Sequence, residues 1–331
     1  DLGPFQQYQS SKNDPLVIYQ PDDAYRVNGG SSLDVPGMDF TPGLGTNPSN
    51  GAVIYYDLAQ KVDTSQRMQM DILDASGEVI RTYTNQKDKK FRPYEGGPAP
   101  APLLSGKLGL NRFVWDLRRD GIPAIPGVFV FGDYRGHRVA PGTYTIRLTV
   151  DSLEQSTRVE VLGDPRLEVS AADYAQQQNN LGQIENSVID IHQSINRLRN
   201  ARQQVRDLLE ILGDEEKYQP LADSGRSVMK TISEWEKNLI QPQQKTFQDV
   251  INYPNKLNAE FLFLRNVMDS HDPRATEGAK IRLGELLSTW NKYKNELSKI
   301  INEDVADFNK MFKQMDLDRI IIPEENQEGN K

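Results

Sequence analysis

The sequence of 331 residues contains no cysteine, only three histidines and no long apolar run. Without cysteine, neither a disulfide framework nor a thiolate metal site can form. His137, His192 and His271 lie far apart and lack the paired spacing of zinc ligands. No segment approaches the roughly 18 apolar residues that a membrane span needs. These absences argue against a zinc enzyme and against a membrane-spanning protein, and we predict neither a metal nor a cofactor.

Negative charge exceeds positive charge, with 47 Asp and Glu against 39 Lys and Arg. The formal net charge is −8 and the sequence pI is about 5.1. Because a nucleic-acid-binding protein presents a basic face to the phosphates, we expect no nucleic-acid partner. The chain opens on Asp1 without a basic and apolar leader. We interpret this as the removal of a leader, or as a piece of a longer protein.

Residues 1–50 are rich in Gly, Pro, Ser, Asp and Asn and have no periodic apolar pattern. Only Pro15 to Gln20, with the sequence PLVIYQ, is typical of a short strand. We therefore predict an extended linker or docking segment that lies on another domain.

Residues 51–165 alternate between apolar and polar side chains, which is the pattern of half-buried strands. Asp74 to Gly77 form a turn between two such runs and predict a hairpin. The residues expected on the buried faces are Met68, Met70, Ile72, Phe113, Trp115, Leu117, Tyr144, Ile146, Leu148, Val150, Val159 and Val161. Two long interruptions, 85–106 and 119–140, are interpreted as loops. The pattern predicts an Ig-like antiparallel β-sandwich.

Residues 166–318 change to a helical period, with apolar residues at steps of three and four. Ser170 is a natural N-cap for the first helix and Gly213 a natural end. The fourth helix begins at Thr276. The predicted fold class is all-β plus all-α: the sandwich followed by an elongated antiparallel bundle of about four helices, with a polar tail at 319–331.

The string WDLRR raises the question of a catalytic cluster. Because neighbours on a strand face opposite sides, Trp115 belongs to the core, while Asp116 and Arg118 are expected on a solvated face with a cross-strand pair. The sequence also lacks a P-loop, a G-x-S-x-G motif and a dinucleotide-binding glycine pattern. We predict no catalytic residue in this chain.

The loop FGDYRGHRVAPG gathers the candidates for contact with a ligand or partner: Asp133, Tyr134, Arg135, His137 and Arg138. One interpretation is a sugar- or carboxylate-binding edge, with aromatic stacking and arginine forks. The other is an ordinary polar loop tip. A second basic and aromatic loop, DKKFRPYEGG at 88–97, favours an interdomain contact. The motif DPR occurs at 164–166 and 272–274, each before a helix, which indicates a structural turn.

Five strings occur in an order that is similar to a known arrangement: GTNPSNGAVIYYDL, MDILDASGEVIRTYT, GLNRFVWDLR, APGTYTIRLTV and VLGDPR. They resemble the C-terminal portion of large Bacteroidetes-type proteins of the sortilin-type or bacterial-neuraminidase-repeat kind, which are classed as glycosyl hydrolases. PDDAYR at 21–26 resembles the stretch after the propeller in those proteins. The sandwich strings also resemble the Ig-like domain of the flagellar hook-capping protein.

The resemblance implies an N-terminal β-propeller with Asp-box turns, S-x-D-x-G-x-T-W. No Asp box occurs in the 331 residues, so no catalytic residue of the family can be transferred to this chain. The resemblance therefore implies a non-catalytic accessory or interaction region of a secreted or surface propeller protein.

Two alternatives remain open: part of a glycoside hydrolase whose active site lies in a missing propeller, and a protein–protein subunit of a cell-envelope assembly. The expected partner is a missing N-terminal propeller or another envelope protein. The expected location is extracellular, periplasmic or associated with the outer membrane.

Overall fold

A computed structural model describes residues 3–11, 14–27 and 49–315, and the chain there combines β-sheets with helices. The strands are β1 (Leu16–Ile18), β2 (Ala24–Tyr25), β3 (Ala52–Leu58), β4 (Met68–Leu73), β5 (Val79–Thr84), β6 (Gly109–Trp115), β7 (Gly142–Val150) and β8 (Leu153–Leu162). The helices are α1 (Gly3–Ser11), α2 (Ala171–Leu212), α3 (Gln219–Leu239), α4 (Leu257–Met268), α5 (Glu277–Lys299) and α6 (Val305–Gln314). The predicted tail at 319–331 lies outside the described residues. The general mixed architecture is the one that the sequence predicts.

The strands form two sheets. Three of them, in the order β1-β3-β6, make an antiparallel sheet. The other five, in the order β2-β8-β7-β4-β5, make a sheet that curls into a half-barrel. This second sheet is mixed, because β2 runs parallel to β8 while the other pairs are antiparallel. The prediction of purely antiparallel pairing is therefore wrong at β2, a strand of two residues that the sequence pattern did not reveal.

The alternation in the sequence does identify the core of the sheets. All twelve residues expected on buried faces are buried, and they belong to one hydrophobic cluster that both sheets share. Trp115 is fully buried and packs edge-on against Tyr144, with the ring centroids 5.3 Å apart. Leu117 is also buried, although the strand ends at Trp115 and Leu117 itself has a positive φ of 57°.

Two helices begin or end at the capping residues that the sequence predicts. Ser170 and Asp173 form a capping box at the start of α2, and Gly213 ends that helix with a φ of 63°. Thr276 caps α5 by accepting a hydrogen bond from the Ala279 N–H. One π-helical turn joins α5 to α6, so the predicted fourth helix is continuous. The 42 residues of α2 make it about 63 Å long.

The long interruption at 119–140, which we call the bridging loop, packs against the helices. Ile122, Ile125, Val128, Val130 and Tyr134 are buried in the same hydrophobic cluster as the helices. They show no strand or helix period, so the sequence pattern predicts only a loop. The bridging loop thereby joins the core of the helices to the strands at its two ends.

The N-terminal segment contains more structure than its composition predicts. α1 was not expected, whereas β1 falls inside the predicted PLVIYQ strand. Residues 14–27, called the lead-in below, add β1 to the edge of β3 and β2 to the edge of β8. Between β1 and β2, the Gln20 side chain donates a hydrogen bond to the Arg158 carbonyl and accepts one from the Thr157 hydroxyl, both on β8. The lead-in therefore lies on this chain's own sheets, and residues 28–48 of the predicted docking segment lie outside the described residues.

Candidate functional site

The predicted contact residues lie at the end of the bridging loop, between the sheets and the helices. Backbone hydrogen bonds hold the loop in place, because the Arg119 N–H donates to the His137 carbonyl and the Val139 N–H to the Leu117 carbonyl. These two hydrogen bonds join the end of the loop to residues 117–119, which follow Trp115. Its side chains are directed to α2 and α4.

His137 is buried and contacts Glu185 of α2 twice. Its backbone N–H donates to Glu185 Oε1 at 2.7 Å, and its ring Nδ1 lies 2.7 Å from Glu185 Oε2. Both side chains are more than nine-tenths buried. A histidine beside a carboxylate is the geometry of an oriented general base. Here, however, the pair is enclosed where the bridging loop meets the helices, a region that we call the junction. A substrate therefore has no access to it.

Arg138 belongs to a group that we call the Asp269 cluster: Asp269 with Arg26, Arg118 and Arg138. Arg118 Nη1 lies 2.9 Å from Asp269 Oδ2, and Arg26 Nη2 and Arg138 Nε lie 3.6 and 3.7 Å from Oδ1. The arginines come from the lead-in, the segment that follows β6 and the bridging loop, while Asp269 follows α4. Burial lowers the pKa of Arg26 and of Arg138, and the charge of Asp269 opposes this shift.

Arg118 was expected on a solvated face with a cross-strand partner, and this expectation is wrong. Its guanidinium is mostly buried and bonds to Asp269 and to the Gly136 carbonyl. The reason is that the bridging loop folds back over this face of the strand and brings the end of α4 with it. Asp116 does not pair with Arg118, and its Oδ1 is buried without a hydrogen-bond partner among the described residues.

Asp133 and Arg135 pair with each other, with Arg135 Nη2 2.7 Å from Asp133 Oδ2. Burial opposes ionisation of Asp133, but the hydrogen bonds from Arg135 outweigh it and lower its pKa. Arg135 is the most exposed of the five candidates. Tyr134 is buried against the helices, and burial raises its pKa. The five candidates thus divide into a buried group and a half-exposed ion pair.

A buried arginine on α4 completes the junction. Arg265 Nη1 donates to the Arg135 carbonyl at 2.6 Å, and its Nη2 donates to the Asp133 carbonyl. It also lies 3.5 Å from Glu185 Oε1. Sequence reasoning missed Arg265, Asp269, Glu185 and Arg26, because a single charged residue beside an apolar stripe resembles an ordinary flank residue. Their burial depends on contacts between segments that are 48 or more positions apart.

The remaining sequence motifs have structural surroundings. In each DPR turn the arginine side chain forks onto the aspartate two residues before it, which lowers the pKa of Asp164 and of Asp272 to about 2. His192 is fully buried, with Nδ1 2.8 Å from the Pro123 carbonyl and Nε2 3.3 Å from Asn258 Nδ2. In the basic loop at 88–97, the Tyr94 hydroxyl donates to the Ile125 carbonyl of the bridging loop.

Within residues 3–11, 14–27 and 49–315, no group of three histidine or acidic side chains could hold a metal ion. In the same residues, no helix combines the length and the apolar character needed to cross a membrane. Comparisons with family models, with curated proteins and with solved structures find no match to this chain.

Proposed function

We propose that this chain is a non-catalytic interaction region: an Ig-like sandwich and a helical bundle that contact each other through buried groups, as the accessory part of a secreted or surface propeller protein. The observation that carries the proposal is that the reactive side chains at the junction are bonded to other groups of the protein. His137, Glu185 and Asp269 are all buried and bonded to protein groups. Chemistry on a substrate needs reactive groups that face an accessible cleft.

Exposed apolar side chains support a role in binding another protein. Phe263 and Val267, four residues apart on α4, are 59% and 49% exposed, so they share one face of that helix. Phe247 and Ile251, on a short 3-10 helix that precedes α4, are 60% and 84% exposed. Exposed apolar groups of this kind are typical of interaction surfaces.

The first experiment tests the absence of catalysis. We expect the purified chain to release no nitrophenol from a panel of nitrophenyl glycosides. Turnover that is lost in Asp133→Asn or His137→Gln, with an unchanged melting temperature, would instead support a glycoside hydrolase with its active site in this chain.

The second experiment tests the attachment. The coding sequence upstream of Asp1 is read for Asp boxes, and the encoded propeller is produced separately. Sedimentation velocity of a mixture should show a complex of propeller and chain. Phe263→Ser with Val267→Ser should weaken it, while Val79→Ser, which changes an exposed apolar residue on β5, should not. An upstream sequence without Asp boxes contradicts the propeller attachment, and a mixture that sediments as two separate species contradicts the accessory role.

A further inference from the structure

Within the described residues, β6 has a neighbouring strand on one side only. It is the last strand in the order β1-β3-β6 and pairs with β3 along its whole length, from Gly109 opposite Leu58 to Trp115 opposite Ala52. A strand directs its N–H and C=O groups alternately to its two sides, so half of these groups of β6 face away from β3. They form a row of donors and acceptors with which another strand can pair. We call this row the free edge of β6.

The position of Gly51 shows which residues form the free edge. A Cβ added to Gly51, which immediately precedes β3, would collide with the Trp115 carbonyl oxygen, so this oxygen points to β3. By the alternation along β6, the backbone groups of Leu110, Arg112 and Val114 then point to the free edge. In the part of the chain that the structure describes, these groups have no backbone hydrogen-bond partner. Leu110 is 45% exposed and Arg112 is also exposed, so solvent reaches this edge.

The other described edges of the two sheets are covered or short. Along β5, the Leu104 N–H donates to the Thr84 carbonyl and the Asp120 N–H to the Ile80 carbonyl. β1 and β2 contain only three and two residues. β6, by contrast, has seven residues, no proline and no bulge in its register with β3. Since proteins usually protect a long edge by one of these devices, β6 is the described edge best suited to pair with another strand.

The side chains beside the free edge define the chemistry of that strand. Arg112 donates to the Ser49 hydroxyl and forms no ion pair with an acidic residue among those described. Leu110 and Val114, two positions away on either side, lie on the same face of β6 as Arg112. Opposite charges across neighbouring strands stabilise their pairing, and like charges oppose it. An acidic residue opposite Arg112, with apolar residues two positions away on each side, therefore complements this edge.

A second copy of the chain complements the free edge less well. Antiparallel pairing of β6 with itself, in the register that places Leu110 opposite Val114, also places Arg112 opposite Arg112. In addition, each copy has a formal net charge of −8, so the two copies repel each other.

We propose that the free edge of β6 binds an extended segment of another protein, which adds an antiparallel fourth strand to the sheet β1-β3-β6. In the complex, the backbone groups of Leu110, Arg112 and Val114 exchange hydrogen bonds with the segment. An acidic side chain of the segment lies beside Arg112. The paired main chains supply the affinity, and the side chains supply the specificity. This site goes beyond the proposed function, which places the partner contact on α4 and on the 3-10 helix before it.

The test uses the full chain and a labelled seven-residue peptide, Thr-Val-Thr-Glu-Thr-Val-Thr, in a fluorescence-anisotropy titration at pH 7. We call it the glutamate peptide, and its two valines and its glutamate match Val114, Leu110 and Arg112. We expect saturable binding, and affinity that is weaker by roughly five- to tenfold when lysine replaces the glutamate. Methylation of the backbone nitrogens of the valines and the glutamate should abolish binding, because these N–H groups face β6. Methylation of the two inner threonines, whose N–H groups face away, is the control and should permit binding.

Three outcomes would overturn the proposal. An absence of binding of the glutamate peptide in the millimolar range contradicts the site. Equal affinities of the glutamate and lysine peptides contradict an acidic partner segment. Binding that survives methylation of the valine and glutamate nitrogens contradicts the addition of a strand.

Two variants locate the binding. Arg112→Glu should invert the preference, so that the lysine peptide binds more tightly than the glutamate peptide. Val114→Pro removes an N–H that faces the free edge, not one that bonds to β3, and should abolish binding. Arg158→Glu, at an exposed arginine on β8, is the matched control and should leave both affinities unchanged. Thermal melting shows whether each variant is folded. An unchanged preference in folded Arg112→Glu would place the peptide elsewhere and contradict the site.

Sedimentation velocity of the chain alone tests the other occupant of the edge. We expect a monomer. A dimer that Val114→Pro converts into a monomer would assign the free edge to a second copy and overturn the proposal. Phe263→Ser with Val267→Ser should leave peptide binding unchanged, so the free edge and the proposed attachment surface on α4 are tested independently.

Discussion

At the scale of single residues, the Asp269 cluster brings buried charges of both signs close together. One carboxylate that is 6% exposed faces three arginines from three separate segments. Removing one partner of a buried ion pair leaves an uncompensated charge, which costs more than the pair itself contributes. The cluster therefore determines how firmly the sheets and the helices are joined.

We expect Asp269→Asn to lower the free energy of unfolding by about 3–5 kcal/mol, because three buried guanidinium groups lose their counter-charge. Urea titration followed by circular dichroism measures the change. Asp223→Asn, which breaks an exposed pair with Arg226, is the control and should cost less than about 1 kcal/mol. Equal effects of the two variants would show that the cluster is not buried as described.

Trp115 is the largest fully buried side chain. We expect Trp115→Ala to cost about 3–5 kcal/mol, because the cavity that it leaves cannot close completely. Leu108→Ala, at a side chain that is 67% exposed, should have little effect. A melting transition of Trp115→Ala that matches the wild type would contradict the position of Trp115 in the core of the sheets.

His192 predicts a pH dependence of stability. Burial lowers its pKa from 6.5 to about 4, and the hydrogen bond to the Pro123 carbonyl opposes this shift only in part. The unfolded chain therefore binds more protons between pH 4 and 6.5, so the stability that this group contributes is full above pH 6.5 and is lost as the pH falls towards 4. At about 1.4 kcal/mol per pKa unit, the loss is about 3 kcal/mol.

The measurement is the free energy of unfolding of the wild type and of His192→Gln between pH 4 and 8. The difference between the two proteins at pH 8 reports the loss of packing. The slope below pH 6.5 reports the titration, and it should be smaller in the variant. Parallel curves over the whole range would contradict a titrating His192.

The candidate site shows the limit of sequence reasoning at this scale. His137 and Arg138 are recognisable in the sequence as a polar cluster, but their partners Glu185 and Asp269 are 48 and 131 positions away. No local pattern encodes such pairs, because each partner satisfies the local rules of its own helix. Trp115, by contrast, is predictable from strand alternation alone.

At the scale of elements, local chemistry predicts boundaries better than it predicts pairing. The cap at Ser170 and the glycine at 213 place both ends of α2, since a helix terminus is a local event. The edge pairing of β1 and β2 was not predictable in the same way. A strand of two or three residues is too short to show a recognisable alternation of apolar and polar side chains. Its stability comes from the sheet that it joins.

The lead-in is predicted to be ordered in the isolated chain. The Tyr19 N–H donates to the Tyr55 carbonyl at 3.0 Å and the Arg26 N–H to the Leu162 carbonyl at 2.8 Å. We expect both amides to exchange with deuterium much more slowly than an unfolded chain does, without any partner protein. Hydrogen exchange read by NMR measures this directly. Exchange of both amides at the unfolded rate would show that the lead-in needs an external surface.

At the scale of the whole molecule, the bridging loop changes the meaning of the domain boundary. The division into residues 51–165 and 166–318 follows the change of period in the sequence. The apolar residues of 122–134, however, complete the core of the helices. The helices therefore depend on a segment that belongs in sequence to the sheets, whereas the core of the sheets contains no residue from the helices.

We expect a single calorimetric transition, with equal calorimetric and van't Hoff enthalpies. The helices lose part of their core when the bridging loop unfolds, and the buried groups His137 and Arg118 lose their partners when the helices unfold. Combining Asp269→Asn with Glu185→Gln should weaken the junction and separate the transition into two. Combining the exposed substitutions Asp223→Asn and Glu277→Gln should keep it single. Two transitions in the wild type would contradict the mutual dependence of the parts.

The contact of Arg26 also determines how mechanical force would travel through the chain. A pull on the N-terminal side loads β1 and β2 first, and each is held by hydrogen bonds to an edge of a different sheet. At Arg26 the load also passes to Gln177 on α2 and to the Ser270 carbonyl beyond α4. Whatever precedes this chain would therefore pull on its sheets and its helices together.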